Sequence, residues 1–211
     1  MLTMNGWFIL VCAIGYLLGS IPFALVIGKV FYKTDIRQAG SKNLGGGNAG
    51  RVLGTKAGLS VMTLDILKVT LAIWLASLMP GGESNMIAAG LAAAIGHCFP
   101  LFAGFKGGKA VATMYGFLFG MMVVGGYSPW AFFLPLLAFL AILYVTKIIA
   151  LSSIGSALAV TVYLWISVGF SGIVAALLVF DGLIIWRHRA NLKRILQGQE
   201  NKIKWMYSKG T

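Results

Sequence analysis

An all-α integral membrane protein with seven transmembrane helices, its N-terminus outside and its C-terminus cytoplasmic, is the fold class this sequence predicts. Three observations predict it. Of 211 residues, 59% are hydrophobic and only 10% charged, against roughly 25% charged in an average soluble domain, and mean hydropathy is +0.88. Apolar runs near the roughly 20 residues that a helix needs to cross the hydrocarbon core recur along the chain. The seventeen Lys and Arg gather in alternate connections between those runs. Because the runs repeat, the first is not expected to be a leader ahead of a soluble domain. With five prolines, no Ser/Gly linker and no low-complexity tract, residues 1–211 are expected to form a single membrane domain.

The first run covers about 7 to 28 and is followed by Lys29, Lys33, Arg37, Lys42, Arg51 and Lys56. The second, about 57 to 79, is joined by "PGGESN" to a third at about 86 to 105, after which come Lys106 and Lys109. The fourth, about 109 to 125, meets the fifth, about 130 to 147, through "GGYSP", and Lys147 ends the fifth. The sixth, about 154 to 170, meets the seventh, about 172 to 187, through "VGFSG". Arg187, Arg189, Lys193, Arg194, Lys202, Lys204 and Lys209 lie at or beyond its end, and only Lys68 lies inside a run. Cytoplasmic loops hold the excess of Lys and Arg, which sets the orientation. The net charge of +12 therefore belongs to one face, and attraction to anionic headgroups accounts for part of it without any site. Gly and Pro interrupt several runs, as in "GLAAAIGHCFPLFAGF". Irregular backbone at membrane depth persists only inside protein or beside a wet cavity, so a pocket is expected.

Three polar stretches on the predicted inner face carry the candidate chemistry. In "GSKNLGGGNAGR", glycines at 40, 45, 46, 47 and 50 allow backbone N–H groups to converge on an anion. Ser41, Asn43 and Asn48 add donors, and Arg51 can hold phosphate through two parallel hydrogen bonds. The same glycines also suit a plain flexible loop, and no "GK[ST]" follows them to make a Walker A motif. In "FKGGKAVAT", Lys106 and Lys109 bracket a glycine pair at the start of the fourth run. Lys106 reads as an interfacial anchor. Lys109, placed at the positive end of a helix, is better explained by a bound anion. In "RHRANLKR", His188 and Asn191 are three apart and share one side of a helix that continues the seventh run. A basic helix lying on headgroups explains the arginines there but requires neither His nor Asn.

Other polar residues read as structural. Asp65 and Lys68, three apart in the second run, can pair on one helix face. His97 is expected to be internally hydrogen-bonded, Asp181 to face a cation of a neighbouring loop, and one of Ser152 and Ser153 to cap the sixth helix. Cys12 and Cys98 are expected to be apolar fillers. Two histidines and five acids are too few for a catalytic metal site to be expected, so no metal and no cofactor is assigned. The "HxxxxD" arrangement of soluble acyltransferases is absent, since Phe102 and Lys193 stand five positions after the two histidines.

The residues resemble the bacterial membrane glycerol-3-phosphate acyltransferases that use acyl phosphate as donor. "GSIPFA", "DIRQAGSKNLGGGNAGR", "GHCFPLFAGFKGGKAVAT" and "HRANLKRILQGQENK" are similar to that family's motifs, in order and spacing, over nearly the whole chain. The resemblance implies transfer of a fatty acyl group to the 1-hydroxyl of glycerol-3-phosphate, giving lysophosphatidic acid and phosphate. It implies an active site on the cytoplasmic face of the inner (plasma) membrane, lipid surroundings, no nucleic acid, and a soluble enzyme that supplies the acyl phosphate. It gives catalytic roles to Ser41, Arg51, Lys109 and His188, and substrate-binding roles to Asn43, Gly45, Asn48, Ser153 and Asn191. The sequence departs from the family pattern at Lys42, where a glycine is usual, at Gly46–Gly47, where Ala-Thr is usual, and at Val69 and Ala110, where glycines are usual. Two other classes fit the same loops: a transporter of a phosphate-bearing solute or lipid, and a non-catalytic binder of one. Uptake without product marks the first, and binding without turnover the second. No internal repeat of the kind common in transporters is visible.

Overall fold

The computed structural model describes residues 3–203, all of whose regular structure is helical. Lys204 and Lys209 of the basic tail lie outside the described residues. The chain forms two compact units, Met1–Tyr127 and Ser128–Thr211.

The first unit opens with α1 (Met4–Gly19) and α2 (Phe23–Tyr32). The sequence predicts one continuous span here, but Pro22 has no N–H to extend the ladder and becomes the N-cap of α2. The break turns the Ile21 carbonyl toward a side chain, Lys68. Next come α3 (Gly46–Leu53) and α4 (Thr55–Ser77), separated by Gly54 alone. A helix over "GGNAGRVL" is unexpected from propensity, since each interior glycine disfavours it by about 1 kcal/mol. Packing overrides propensity: a Cβ on Gly58 would lie 2.6 Å from Gly50 Cα and 2.9 Å from the Gly46 carbonyl oxygen. The glycines thus let α3 lie directly on α4.

Helix α5 (Gly82–Cys98) packs on α1, and α6 (Val111–Val124) packs on α4. Small residues bring these helices close, as is usual where lipid removes a hydrophobic drive between them. A Cβ on Gly19 would collide with the Ala93 carbonyl. Ile73, Phe117, Leu118 and Met121 fill the interior and are fully buried.

The second unit is α7 (Trp130–Thr146), α8 (Ile149–Val168), α9 (Gly172–Arg187) and α10 (Arg189–Leu196). Helix α8 packs on both α7 and α9, and Leu164, Ile173, Leu177 and Phe180 form its core. Asp181 accepts a hydrogen bond from Thr161 Oγ1 at 2.7 Å across α8 and α9. That replaces the loop cation expected for it.

Among the described residues, four segments are long and apolar enough to cross a membrane: Met4–Tyr32, Thr55–Ser77, Gly82–Ala103 and Ile149–Val168. Val111–Val124 and Trp130–Thr146 are apolar but shorter.

Candidate active site

The first polar stretch is folded by two internal devices. Asp35 caps the short turn Ile36–Gln38, accepting the Arg37 backbone N–H at 3.0 Å and the Arg37 guanidinium at 2.6 and 2.9 Å, with Lys29 Nζ at 3.7 Å. The hydrogen bonds from Arg37 hold the Asp35 carboxyl down at about 2. The second device is Asn48, 3% exposed. Its Oδ1 accepts the Ser41 N–H at 2.8 Å, and its Nδ2 donates to the carbonyls of Ile36 and Ala39 at 3.1 and 3.2 Å. Both amide hydrogens therefore go to the loop backbone, where the sequence suggests a donor for substrate.

This folding leaves the N-terminus of α3 with Gly45 as N-cap and no capping side chain. The N–H groups of Gly46 and Gly47 stand at the positive end of that helix. Arg51 is exposed and lies four residues after Gly47, on the same helix face. Position 51 is one turn after Gly47, where a helical side chain tilts toward the helix N-terminus. A Cβ at Gly47 would meet nothing within 4 Å.

The second stretch folds back on the end of α5. Gly108 donates to the His97 carbonyl at 2.9 Å and Gly107 to the Cys98 carbonyl at 3.2 Å. Lys106 is exposed and Lys109 half-buried. Helix α6 begins at Val111 with Ala110 as N-cap, so Lys109 sits just ahead of the helix rather than in its first turn. Asn43 Nδ2 donates to the Gly107 carbonyl at 3.2 Å, which joins the two stretches. The first unit thus brings Ser41, Asn43, Gly45, Asn48 and Arg51 into one loop and helix, and ties that loop to the segment carrying Lys109.

Beneath the second stretch, Asp65 and Lys68 pair at 2.7 Å as expected, and His97 Nδ1 lies 3.1 Å from Lys68 Nζ. The link to His97, twenty-nine residues away, has no sequence signal. An apolar groove of about 470 Å³ opens alongside, lined by Leu18, Phe23, Leu67, Lys68, Leu71 and Trp74 among others.

In the second unit, Ser153 is 1% exposed and its hydroxyl donates to the Ile149 carbonyl at 2.8 Å. Ser152 does the same to Ile148 at 3.0 Å, so neither serine caps α8. His188 lies between α9 and α10, 3% exposed, with Nδ1 2.8 Å from the Ile184 carbonyl. That contact puts a proton on Nδ1, because a carbonyl oxygen only accepts. Asn191 Nδ2 and Arg194 Nε each reach one oxygen of Glu200 at 2.7 Å. Glu200 was not among the predicted site residues, although the closing motif contains it.

Known proteins resemble this chain over most of its length. The pattern described as "Glycerol-3-phosphate acyltransferase" matches residues 9–198. The chain is 45% identical over 212 aligned positions to the glycerol-3-phosphate acyltransferase of Listeria monocytogenes serovar 1/2a, covering 97% of this chain and 100% of that protein. It is 46% identical to the Geobacillus kaustophilus protein of the same name, covering 93% and 96%. It also resembles the crystal structure of PlsY (YgiH), an integral membrane glycerol 3-phosphate acyltransferase, in its glycerol 3-phosphate form. There the TM-score is 0.85 at 34% identity, covering 93% of this chain and 95% of that one.

Proposed function

Because the chain belongs to the glycerol-3-phosphate acyltransferase family of integral membrane enzymes, we propose that it moves a fatty acyl group from acyl phosphate to the 1-hydroxyl of glycerol-3-phosphate. The products are lysophosphatidic acid and inorganic phosphate. The hydroxyl oxygen attacks the acyl carbonyl carbon, the bond from that carbon to the phosphate oxygen breaks, and the departing phosphate takes the hydroxyl proton. An acyl phosphate is already activated, so the protein's task is to align two anions and offset their repulsion.

The observation that carries this reading is the open N-terminus of α3, with Arg51 on its face, tied to the Lys109 segment by the Asn43–Gly107 hydrogen bond. Backbone N–H groups at Gly46 and Gly47, Ser41, Arg51 and Lys109 hold phosphate. Asn43, Gly45 and Asn48 shape the loop that does so, Asn48 from inside. In the second unit, Ser153, His188 and Asn191 position glycerol-3-phosphate, with His188 orienting the substrate rather than removing its proton. The acyl chain runs from the phosphate along α4 into the groove between Leu67, Leu71 and Trp74.

The family match spans both units, which supports one acyltransferase domain over 1–211. Seven spans, an outside N-terminus and an active site on the cytoplasmic face of the inner membrane are part of the same proposal, on the charge distribution of the loops. So is a soluble enzyme that makes the acyl phosphate. Purified protein given palmitoyl phosphate is expected to release phosphate only when glycerol-3-phosphate is present. Arg51→Ala and Lys109→Ala are each expected to lower that rate by at least about a hundredfold. Equal release without the acceptor would sink the proposal.

A further inference from the structure

The cluster under the second stretch is left without a task by the chemistry above. Lys68 Nζ lies 2.7 Å from Asp65 Oδ1, 2.9 Å from the Ile21 carbonyl oxygen and 3.1 Å from His97 Nδ1. An ammonium donates and never accepts, so it cannot take a proton from any of these three partners. His97 Nδ1 must then accept, which leaves the ring neutral with its proton on Nε2. A protonated ring would set two cations 3.1 Å apart in a site where Asp65, Lys68 and His97 are 1%, 4% and 5% exposed. One carboxylate balances one ammonium, and the same Asp65 Oδ1 lies 3.5 Å from His97 Nδ1, which closes the cluster.

The far side of His97 touches the loop. Any side chain at Gly108 would collide with the His97 ring, and the His97 carbonyl accepts the Gly108 N–H at 2.9 Å. Gly107 is held by Cys98 on one side and by Asn43 on the other. One continuous path of hydrogen bonds and packing therefore runs from the α1–α2 break, through Lys68 and His97, to the residues next to Lys109.

We infer that Asp65, Lys68 and His97 are positioning residues that set the Gly107–Lys109 backbone, and with it the Lys109 ammonium and Asn43, at the place where phosphate is held. This rests on the proposed function for its kinetic consequence but not for its structural one.

Hydrogen exchange of the amides of residues 107–109, measured on the purified protein in detergent, reads loop position without turnover. Paired Asp65→Asn/Lys68→Met protein carries no lone buried charge, yet loses the anchor on His97. His97→Phe keeps a ring against Gly108 but offers Lys68 no acceptor. In both, exchange at 107–109 is expected to rise about tenfold, with exchange in α8 and α9 unchanged. KM for the phosphate-bearing substrates is expected to rise at least about fivefold, with a smaller change in kcat. His97→Asn returns an acceptor close to the Nδ1 position and is expected to recover part of the exchange protection that His97→Phe loses. Gly108→Ala strikes the ring from the loop side with all charges paired, and should give the same exchange and KM change. Wild-type exchange at 107–109 in Gly108→Ala, or in either cluster variant that folds, overturns the inference. Raised exchange in a protein with no acyl transfer would overturn the proposed function and leave this inference standing.

Discussion

Lys42 and Ala110 stand at backbone φ of +58° and +62°, in the left-handed region that favours glycine, at positions where the sequence resemblance implies a glycine. The strain is about 1 kcal/mol at each, but the two sites differ in what a glycine would lose. Lys42 is exposed, so strain relief is offset only by the extra unfolded-chain freedom of a glycine, about 0.4–1 kcal/mol. Lys42→Gly is therefore expected to leave stability unchanged or raise it by up to about 0.5 kcal/mol in denaturant titration. The Ala110 methyl is fully buried, and forfeiting it costs about 0.8 kcal/mol. With the unfolded-chain freedom of a glycine added, Ala110→Gly should therefore destabilise the protein slightly, by up to about 1 kcal/mol. Asp35 supplies a second test. Its folded carboxyl, at about 2, lies below the unfolded value of about 3.9. Its stabilisation is complete above about pH 4 and disappears as pH falls toward 2. Asp35→Asn protein is expected to be less stable than wild type at pH 6, with the difference shrinking through that acid window; a difference that grows there would contradict the assignment.

Helix α3 is the element least expected from its composition, because a run such as "GGGNAG" reads as loop by propensity. Its existence depends on the close approach to α4. Gly58→Val would drive a side chain into the Gly50 backbone and is expected to destabilise by about 2 kcal/mol or more. Gly47→Thr adds a hydroxyl beside the open N-terminus of α3, and its Cβ meets nothing within 4 Å. It should leave stability within about 0.5 kcal/mol of wild type and lower KM for acyl phosphate. The groove beside α4 gives the corresponding test of chain binding. Leu67, 47% exposed and lining the groove, changed to Trp is expected to shift donor preference toward shorter acyl chains, measured with a series of acyl phosphates. An unchanged preference would place the chain elsewhere.

Across the whole molecule, apolar runs and basic loops made the helical membrane class legible, because both follow from the lipid's intolerance of charge and unpaired backbone. The donor types in the three polar stretches were legible for the same reason: so few polar residues remain that each motif stands out. What could not be read were arrangements set by tertiary packing. The interruption at Pro22 lay inside one apolar run, Asn48 resembled an outward donor, and Asp181 and the Ser152–Ser153 pair took neighbours that no local spacing announces. His97 joined Asp65 and Lys68 across twenty-nine residues of sequence. Departures at 42, 46, 47 and 110 were visible, but only backbone angles and free space separate the strained ones from the neutral ones.

The central claim concerns the acyl donor, and incorporation of radiolabelled glycerol-3-phosphate into lysophosphatidic acid by the purified protein tests it most directly. Palmitoyl phosphate and palmitoyl-coenzyme A should be offered separately. The account predicts labelled product from palmitoyl phosphate, one phosphate released per product, and none from the thioester. Equal or greater incorporation from the thioester, or no product from palmitoyl phosphate with folded protein, would contradict it.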